Sequence, residues 1–324
     1  MPDSVARGER ALARAYQLLA DCFAGPLDAS LLQRAEKSPL LRDALTDATD
    51  LDQLAADHHL AFDWAVFPQQ GVFLDPKGWA DGESSDDLRE LFGTLGYTAR
   101  PNLPTDHLSN LLGALHWTLS RSTPAPLAQL QLLDGHLLRW LPAFVAAVCR
   151  LGLRLPTALV LQLEDLVFYH RQVLESLGSQ VPDFELPAFP PLLEDPGTGL
   201  AQIAAFLVSS ARSGIFLSRE DIAGVVRESD SLRGFGDRRG MLLDALRSAS
   251  HRETLPRLIE GLTSLHLDWE ATLADGVESG LPAQVAEVWT ARSIQTRGML
   301  EVLARAGVAA DGASGSETTT GPPP

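Results

Sequence analysis

Several common protein classes are excluded by what this chain lacks. It has two cysteines in 324 residues, Cys22 and Cys149, each within a helical-looking apolar stretch. A disulfide framework or a cysteine zinc site needs more ligands at tighter spacing, so two buried thiols are expected. No apolar run reaches the roughly 18 residues of a membrane span. Met1-Pro2-Asp3-Ser4-Val5 starts with an acid, without the basic start and apolar block of a secretory leader, and a cytoplasmic protein is expected. Positive charge is scarce: 26 Lys and Arg stand against 42 Asp and Glu, a net charge of −16. That balance offers no basic face for nucleic acid. Strand signals are poor, since Val72-Phe73-Leu74 and Ile215-Phe216-Leu217 are too short to build a sheet.

Catalytic sets are missing too. There is no Gly-x-Ser-x-Gly elbow, His-Glu-x-x-His pair or Walker-type loop. Gly234-Phe235-Gly236-Asp237-Arg238-Arg239-Gly240 superficially resembles a phosphate loop. Such a loop needs a preceding strand, and here a helical segment precedes it, so the stretch reads as a turn into a helix over Met241 to Leu246. Among the eight histidines, His58 and His59 are adjacent and on an α-helix would point in different directions, a poor metal pair. His170 falls on an apolar stripe and reads as a hydrogen-bonded core residue. The paired Glu-x-x-His motifs of di-iron bundles are absent. No catalytic, cofactor-binding or metal-binding residue is expected, and no enzyme activity.

What the chain does have is helical periodicity. Leu12, Tyr16, Leu19 and Phe23 form a stripe stopped by Gly25-Pro26. Leu108, Leu111, Leu112, Leu115 and Leu119 form another, with Thr105 or Asp106 placed to cap its free N–H groups. Leu133, Leu137, Trp140, Leu141, Phe144 and Val148 follow, with a kink or break expected at Pro142. Leu159, Leu163, Leu166, Val167, His170, Leu174 and Leu177 make a fourth stripe, closed by Gly178. A seam from Gln180 to Gly199 carries five prolines and two glycines. Helical pattern resumes at Leu200, Ile203, Ala204 and Leu207, and Ser218 to Asp221 form a capping-box start. Further helices are expected over Arg239 to Ala249, Glu253 to Leu273 and Pro282 to Ala306. The fold class is all-α. The organisation reads as a helical domain over 1–179, a Pro/Gly-rich linker over 180–199, a helical module over 200–310 and a disordered tail over 311–324.

Charge is uneven. From Asp43 to Glu90 there are twelve carboxylates against Lys77 and Arg89, so this segment holds −10 of the net −16. It reads either as a solvated surface or as one that attracts a cationic partner. Within it, Phe62, Trp64, Phe67, Phe73 and Trp79 are more aromatics than a loop carries unless they pack on a core or line a groove.

Four motifs in order resemble the TorD/DmsD/NarJ family of redox-enzyme maturation chaperones over about residues 10–178. They are Tyr16, Leu19 and Phe23 with Gly25-Pro26; the loop Phe67-Pro68-Gln69-Gln70-Gly71-Val72-Phe73-Leu74-Asp75; the helix start Pro104, Asp106, His107; and His136, Leu137, Leu138, Trp140. The loop departs from the family pattern at Gln69, where an aromatic is expected, and at Gly71, where a serine is. The resemblance implies a TorD-type helical bundle, monomeric or homodimeric, with an additional C-terminal helical module and no cofactor of its own. It implies binding of the apo-form of a molybdopterin-dependent oxidoreductase subunit, its twin-arginine leader, or both. The client-binding candidates are Phe67, Pro68, Phe73 and Trp79 for apolar contact and Asp75 and Asp106 for charge. His107 and His136 would link the loop to neighbouring helices, and Gln69 and Trp140 complete the set. The competing readings are a nucleotide-binding switch built on Asp106-His107 and the Gly234 to Gly240 turn, or a helical scaffold that binds another protein.

Overall fold

A computed structural model describes residues 2–39, 41–45, 50–78, 82, 84–174, 185–195, 197–229 and 236–314. Among them are sixteen α-helices and no strand. The first ten are α1 (Pro2–Ala24), α2 (Ala29–Glu36), α3 (Arg42–Leu45), α4 (Leu51–His58), α5 (Gln70–Leu74), α6 (Ser84–Leu95), α7 (Leu108–Ser120), α8 (Pro126–Leu130), α9 (Leu141–Cys149) and α10 (Arg154–Leu174). The rest are α11 (Leu200–Leu207), α12 (Ser210–Ser213), α13 (Arg219–Glu228), α14 (Arg238–His251), α15 (Leu255–Ser279) and α16 (Ala283–Ser314). Two π-helical segments, His59–Ala65 and Gln131–Leu137, continue α4 and α8.

The stripes read from the sequence are the buried faces. Tyr16, Leu19 and Phe23 of α1 are buried and α1 packs along α7, with Ser109 Oγ of α7 donating to the Ala20 carbonyl at 2.7 Å. Phe23 meets Phe62 edge-on at 5.2 Å between ring centroids. Burial of each such side chain stabilises the fold by about 2 kcal/mol relative to exposure. The expected break near Pro142 is present: the axis bends by 55° between Leu137 and Leu141, and the proline sits in the first turn of α9, where its missing N–H costs nothing. Together Pro126–Leu137 and α9 have the composition of a broken membrane span, yet α9 is buried in the core from Leu141 to Val148. Among the described residues no single helix is long and apolar enough to cross a membrane.

Ser218 caps α13 as its pattern predicts. Its hydroxyl accepts from the Asp221 N–H at 3.0 Å, and the Asp221 carboxylate accepts from the Ser218 N–H at 2.8 Å. Asp237 caps α14 by accepting from the Gly240 N–H at 2.7 Å. This agrees with the reading of the glycine-rich stretch as a turn, although residues 230–235 lie outside the described residues. Gly178 and the first part of the seam also lie outside them, and α16 extends to Ser314, into the expected tail.

Residues 185–195 of the seam carry no helix, but they are not a free connector. Leu186 is buried, Phe189 packs edge-on against Phe206 at 5.2 Å, and the Pro187 carbonyl accepts from Arg292 Nη2. The segments on either side of the seam share one apolar cluster. At its centre Phe73 of α5 lies between Trp140 (5.4 Å) and Phe216 (5.1 Å), stacked on both.

Candidate functional site

The loop after Phe67 and the Pro104 to His107 helix start, about thirty residues apart in sequence, are joined in space. Leu108 donates its N–H to the Pro68 carbonyl at 2.8 Å, and Gln70 donates to the Asp106 carbonyl at 3.1 Å. These bonds form an isolated antiparallel bridge between Gln69 and His107. Asp106, fully buried, extends the clasp by accepting the Gly71 N–H on Oδ2 at 2.8 Å. The sequence expectation that Thr105 or Asp106 caps α7 is therefore corrected. His107 is the cap, accepting the Ser109 N–H on Nδ1 at 3.1 Å, because the Asp106 carboxylate is taken up by the loop. Burial pushes His107 down to about 4, which keeps it neutral and able to accept that bond.

The candidate residues fall into two groups. Phe73, Asp75, Asp106, His107, His136 and Trp140 are buried, and so is Pro68. Asp75 accepts the Lys77 N–H at 2.7 Å in the turn after α5, Phe73 stacks on Trp140, and His136 is pushed down to about 4 by burial. The indole N–H of Trp140 and Nδ1 of His136 are buried without a hydrogen-bond partner. Gln69 is half-buried and Phe67 is exposed. Trp79 lies outside the described residues.

Beside Phe67 the surface carries an apolar strip that the candidate set missed. Leu60, Trp64 and Phe67 are 43%, 57% and 36% exposed, along and just after the π-helical segment. The inner side of that segment buries Ala61, Phe62 and Ala65. A π-helix makes i→i+5 bonds and turns less per residue than an α-helix, which Val66 N–H to Ala61 C=O at 2.8 Å illustrates. The available signal was the four-residue spacing of Leu60 and Trp64. It was hidden because Phe62 and Phe67 made the whole stretch look uniformly aromatic. Trp64 already holds a cation: the Arg219 guanidinium from α13 lies 3.9 Å over its ring centroid.

Carboxylates border the strip. Asp63 is exposed and accepts from His59 Nδ1 at 2.5 Å, and Asp57 accepts from Gln53 Nε2 at 2.7 Å. Other acids of the 43–90 segment have local tasks. Asp50 caps α4 by accepting from the Asp52 and Gln53 N–H groups, and Asp86 pairs with Arg89. Asp47, Asp81 and Glu83 lie outside the described residues.

Metal-ligating chemistry is also present here. One donor atom from each of His58, His59 and Asp63 lies within 4.8 Å of the others. The two histidines were expected to diverge, as neighbours on an α-helix do. The α-to-π junction falls between them, and their perpendicular rings lie 6.0 Å apart.

A second apolar surface lies elsewhere, a groove of about 840 Å³ between α1, α2 and α10 lined by Leu12, Leu18, Leu166 and Tyr169. Its rim carries Arg14, Arg34 and Lys37, the opposite sign to the strip.

Residues 28–146 match the family model for the nitrate reductase delta subunit. This is a family of redox-enzyme maturation chaperones, and the match upholds the family-level resemblance read from the motifs. It covers the Pro68 loop, the Asp106-His107 helix start and Trp140, and begins just after the Tyr16 to Phe23 helix. No curated protein and no solved structure matches the chain.

Proposed function

We propose that this protein is a cytoplasmic, non-catalytic chaperone that binds the apo-form of a molybdopterin-dependent oxidoreductase subunit through its twin-arginine leader. Binding would hold the client until its cofactor is inserted and delay its export. The observation that carries the reading is the Leu60-Trp64-Phe67 strip with Asp57 and Asp63 at its edge. A twin-arginine leader presents two guanidinium forks beside an apolar stretch. Carboxylates accept such forks, and aromatic faces take both guanidinium planes and apolar side chains. The stacking of Arg219 on Trp64 supports the choice of surface, since that indole already accommodates a guanidinium. The groove beside α1 is disfavoured by its cationic rim.

Phe67 and Gln69 take part at the edge of this surface. Pro68, Phe73, Asp75, Asp106, His107, His136 and Trp140 act from beneath, fixing the loop that ends the strip. The exposed strip also fits a client helix, so the apo-enzyme itself is part of the proposal.

Calorimetry at low salt with a twin-arginine leader peptide tests the proposal. Trp64→Ala is expected to weaken binding about tenfold, the cost of a desolvated cation–π contact plus lost apolar area. A peptide with both arginines changed to lysine should bind more weakly than the parent. Equal binding of the two peptides, or wild-type affinity in Trp64→Ala, contradicts this assignment.

A further inference from the structure

We propose that His58, His59 and Asp63 form a binding site for a divalent first-row transition-metal ion. Each contributes one donor atom to a set lying within 4.8 Å of one another, close enough that rotation of the exposed His59 and Asp63 side chains brings all three to about 2.1 Å from a single ion.

The tautomer of His58 supports the site. Its Nε2 lies 3.0 Å from the Cys22 carbonyl oxygen, which can only accept, so Nε2 carries the proton and donates. Nδ1 is left with the lone pair, and it is buried without a hydrogen-bond partner. A ring N–H given to a backbone carbonyl, with the other nitrogen unprotonated, is how metal-ligating histidines are oriented. His58 is 2% exposed. Its backbone is fixed by the end of α4 and its ring by the Phe62 edge contact at 5.0 Å.

His59 and Asp63 supply the exposed half. Both are exposed, and in the unloaded protein the His59 Nδ1–H donates to Asp63 Oδ2 at 2.5 Å. Loading breaks that bond, since the ion takes a lone pair from His59 and one from Asp63, and any proton displaced from His59 passes to water. Two imidazoles and one carboxylate are a borderline donor set. It suits Zn²⁺, Co²⁺ or Ni²⁺ and disfavours Mg²⁺ and Ca²⁺, which prefer oxygen alone. Three protein ligands leave a position for water or an outside donor.

The inference does not rest on the leader-binding reading, although Asp63 belongs to both surfaces: metal uptake is measured without peptide, so its failure is distinguishable from failure of leader binding. The test is calorimetric titration of the full-length, chelator-treated protein with Zn²⁺, with Mg²⁺ as the hard-ion control. The visible absorption of added Co²⁺ gives a second readout. The expected result is saturable uptake of Zn²⁺ that Mg²⁺ does not match. His59→Ala and Asp63→Asn, both at exposed positions that the fold tolerates, should each weaken it about tenfold or more. His251→Ala, at an exposed histidine of α14 outside the group, should leave it unchanged. Absence of saturable Zn²⁺ binding overturns the proposal. So does wild-type affinity in both His59→Ala and Asp63→Asn.

Discussion

Five buried histidines, His58 among them, set how this protein responds to acid. Burial pushes His107, His136 and His170 down to about 4 and His266 down to about 3, against an ordinary value of 6.5. One bond needs the neutral ring outright: His107 caps α7 by accepting the Ser109 N–H. His170 lies 2.9 Å from the Tyr16 hydroxyl and 3.2 Å from Gln129 Oε1, and His266 Nδ1 donates at 2.8 Å to Ser293 Oγ, whose own proton goes to Glu270. Since the folded values lie below the unfolded one, the unfolded chain binds more protons below pH 6.5. The stabilisation is therefore complete above that pH and is lost as pH falls toward 4. Glu164, pushed up to about 7 by burial, acts in the opposite sense between about 4.5 and 7, one group against five. Urea midpoints are expected to hold near pH 7.5 and to drop between pH 6 and 4; a flat profile over that range contradicts the assignment. At this scale the sequence was informative about burial and less so about direction. His170 sits on its apolar stripe as a bonded core residue, as read. Trp64 was passed over in favour of Phe73, because spacing alone does not say which aromatics of a dense cluster face inward.

Between elements, the clasp of the Pro68 loop on the start of α7 depends on Asp106. Removing its carboxylate leaves the Gly71 N–H without its partner in a buried place, and a lost charge-assisted bond of this kind costs about 2 kcal/mol. Asp106→Ala is expected to lower stability by about that amount, and Asp106→Asn, which keeps an acceptor oxygen, by less. Equal losses in the two variants, measured by chemical denaturation, contradict the role given to the carboxylate. The helices themselves were largely legible, since 3.6-residue periodicity, Gly25-Pro26 and the Ser218 capping box each fix a boundary by local chemistry. The clasp was not, because it pairs segments thirty residues apart and uses an aspartate that local pattern assigns to the cap. The π-helical segments were equally hidden. Their apolar spacing over seven residues differs too little from that of an α-helix to read, yet they decide the exposure of Leu60 and Trp64 and bring His58 and His59 together.

For the molecule as a whole, the seam at 180–199 looks in sequence like a linker between two modules, yet the residues on either side are bound closely together. Phe216 stacks on Phe73, Trp289 Nε1 donates to the Arg139 carbonyl at 2.8 Å, and Ser209 Oγ donates to the Pro76 carbonyl at 2.9 Å. Arg150 ties α9 to the later helices through the Asp221 carboxylate and the Phe216 carbonyl, both at 2.8 Å, with its guanidinium 4.6 Å over Trp269. Proline content reports where a helix stops, not whether the chain beyond it packs back, and so the sequence could not reveal this. If the halves were independent, a chain ending at Asp195 would fold and keep its leader affinity. In this structure such a truncation uncovers Phe73 and removes Phe216, Asp221 and Trp269, the groups that bind and cover the Arg150 guanidinium. The truncated protein is therefore expected to lose cooperative unfolding and to expose apolar surface to a hydrophobic dye. Asp221→Ala in the full chain is a milder form of the same test. Breaking this partly buried, charge-assisted pair from one side costs about 2 kcal/mol, enough to lower the single transition without splitting it. Cooperative unfolding of the truncated protein without dye binding, or two separate transitions in Asp221→Ala, would mean that the halves fold independently, with the stacking of Phe216 on Phe73 adding little to stability.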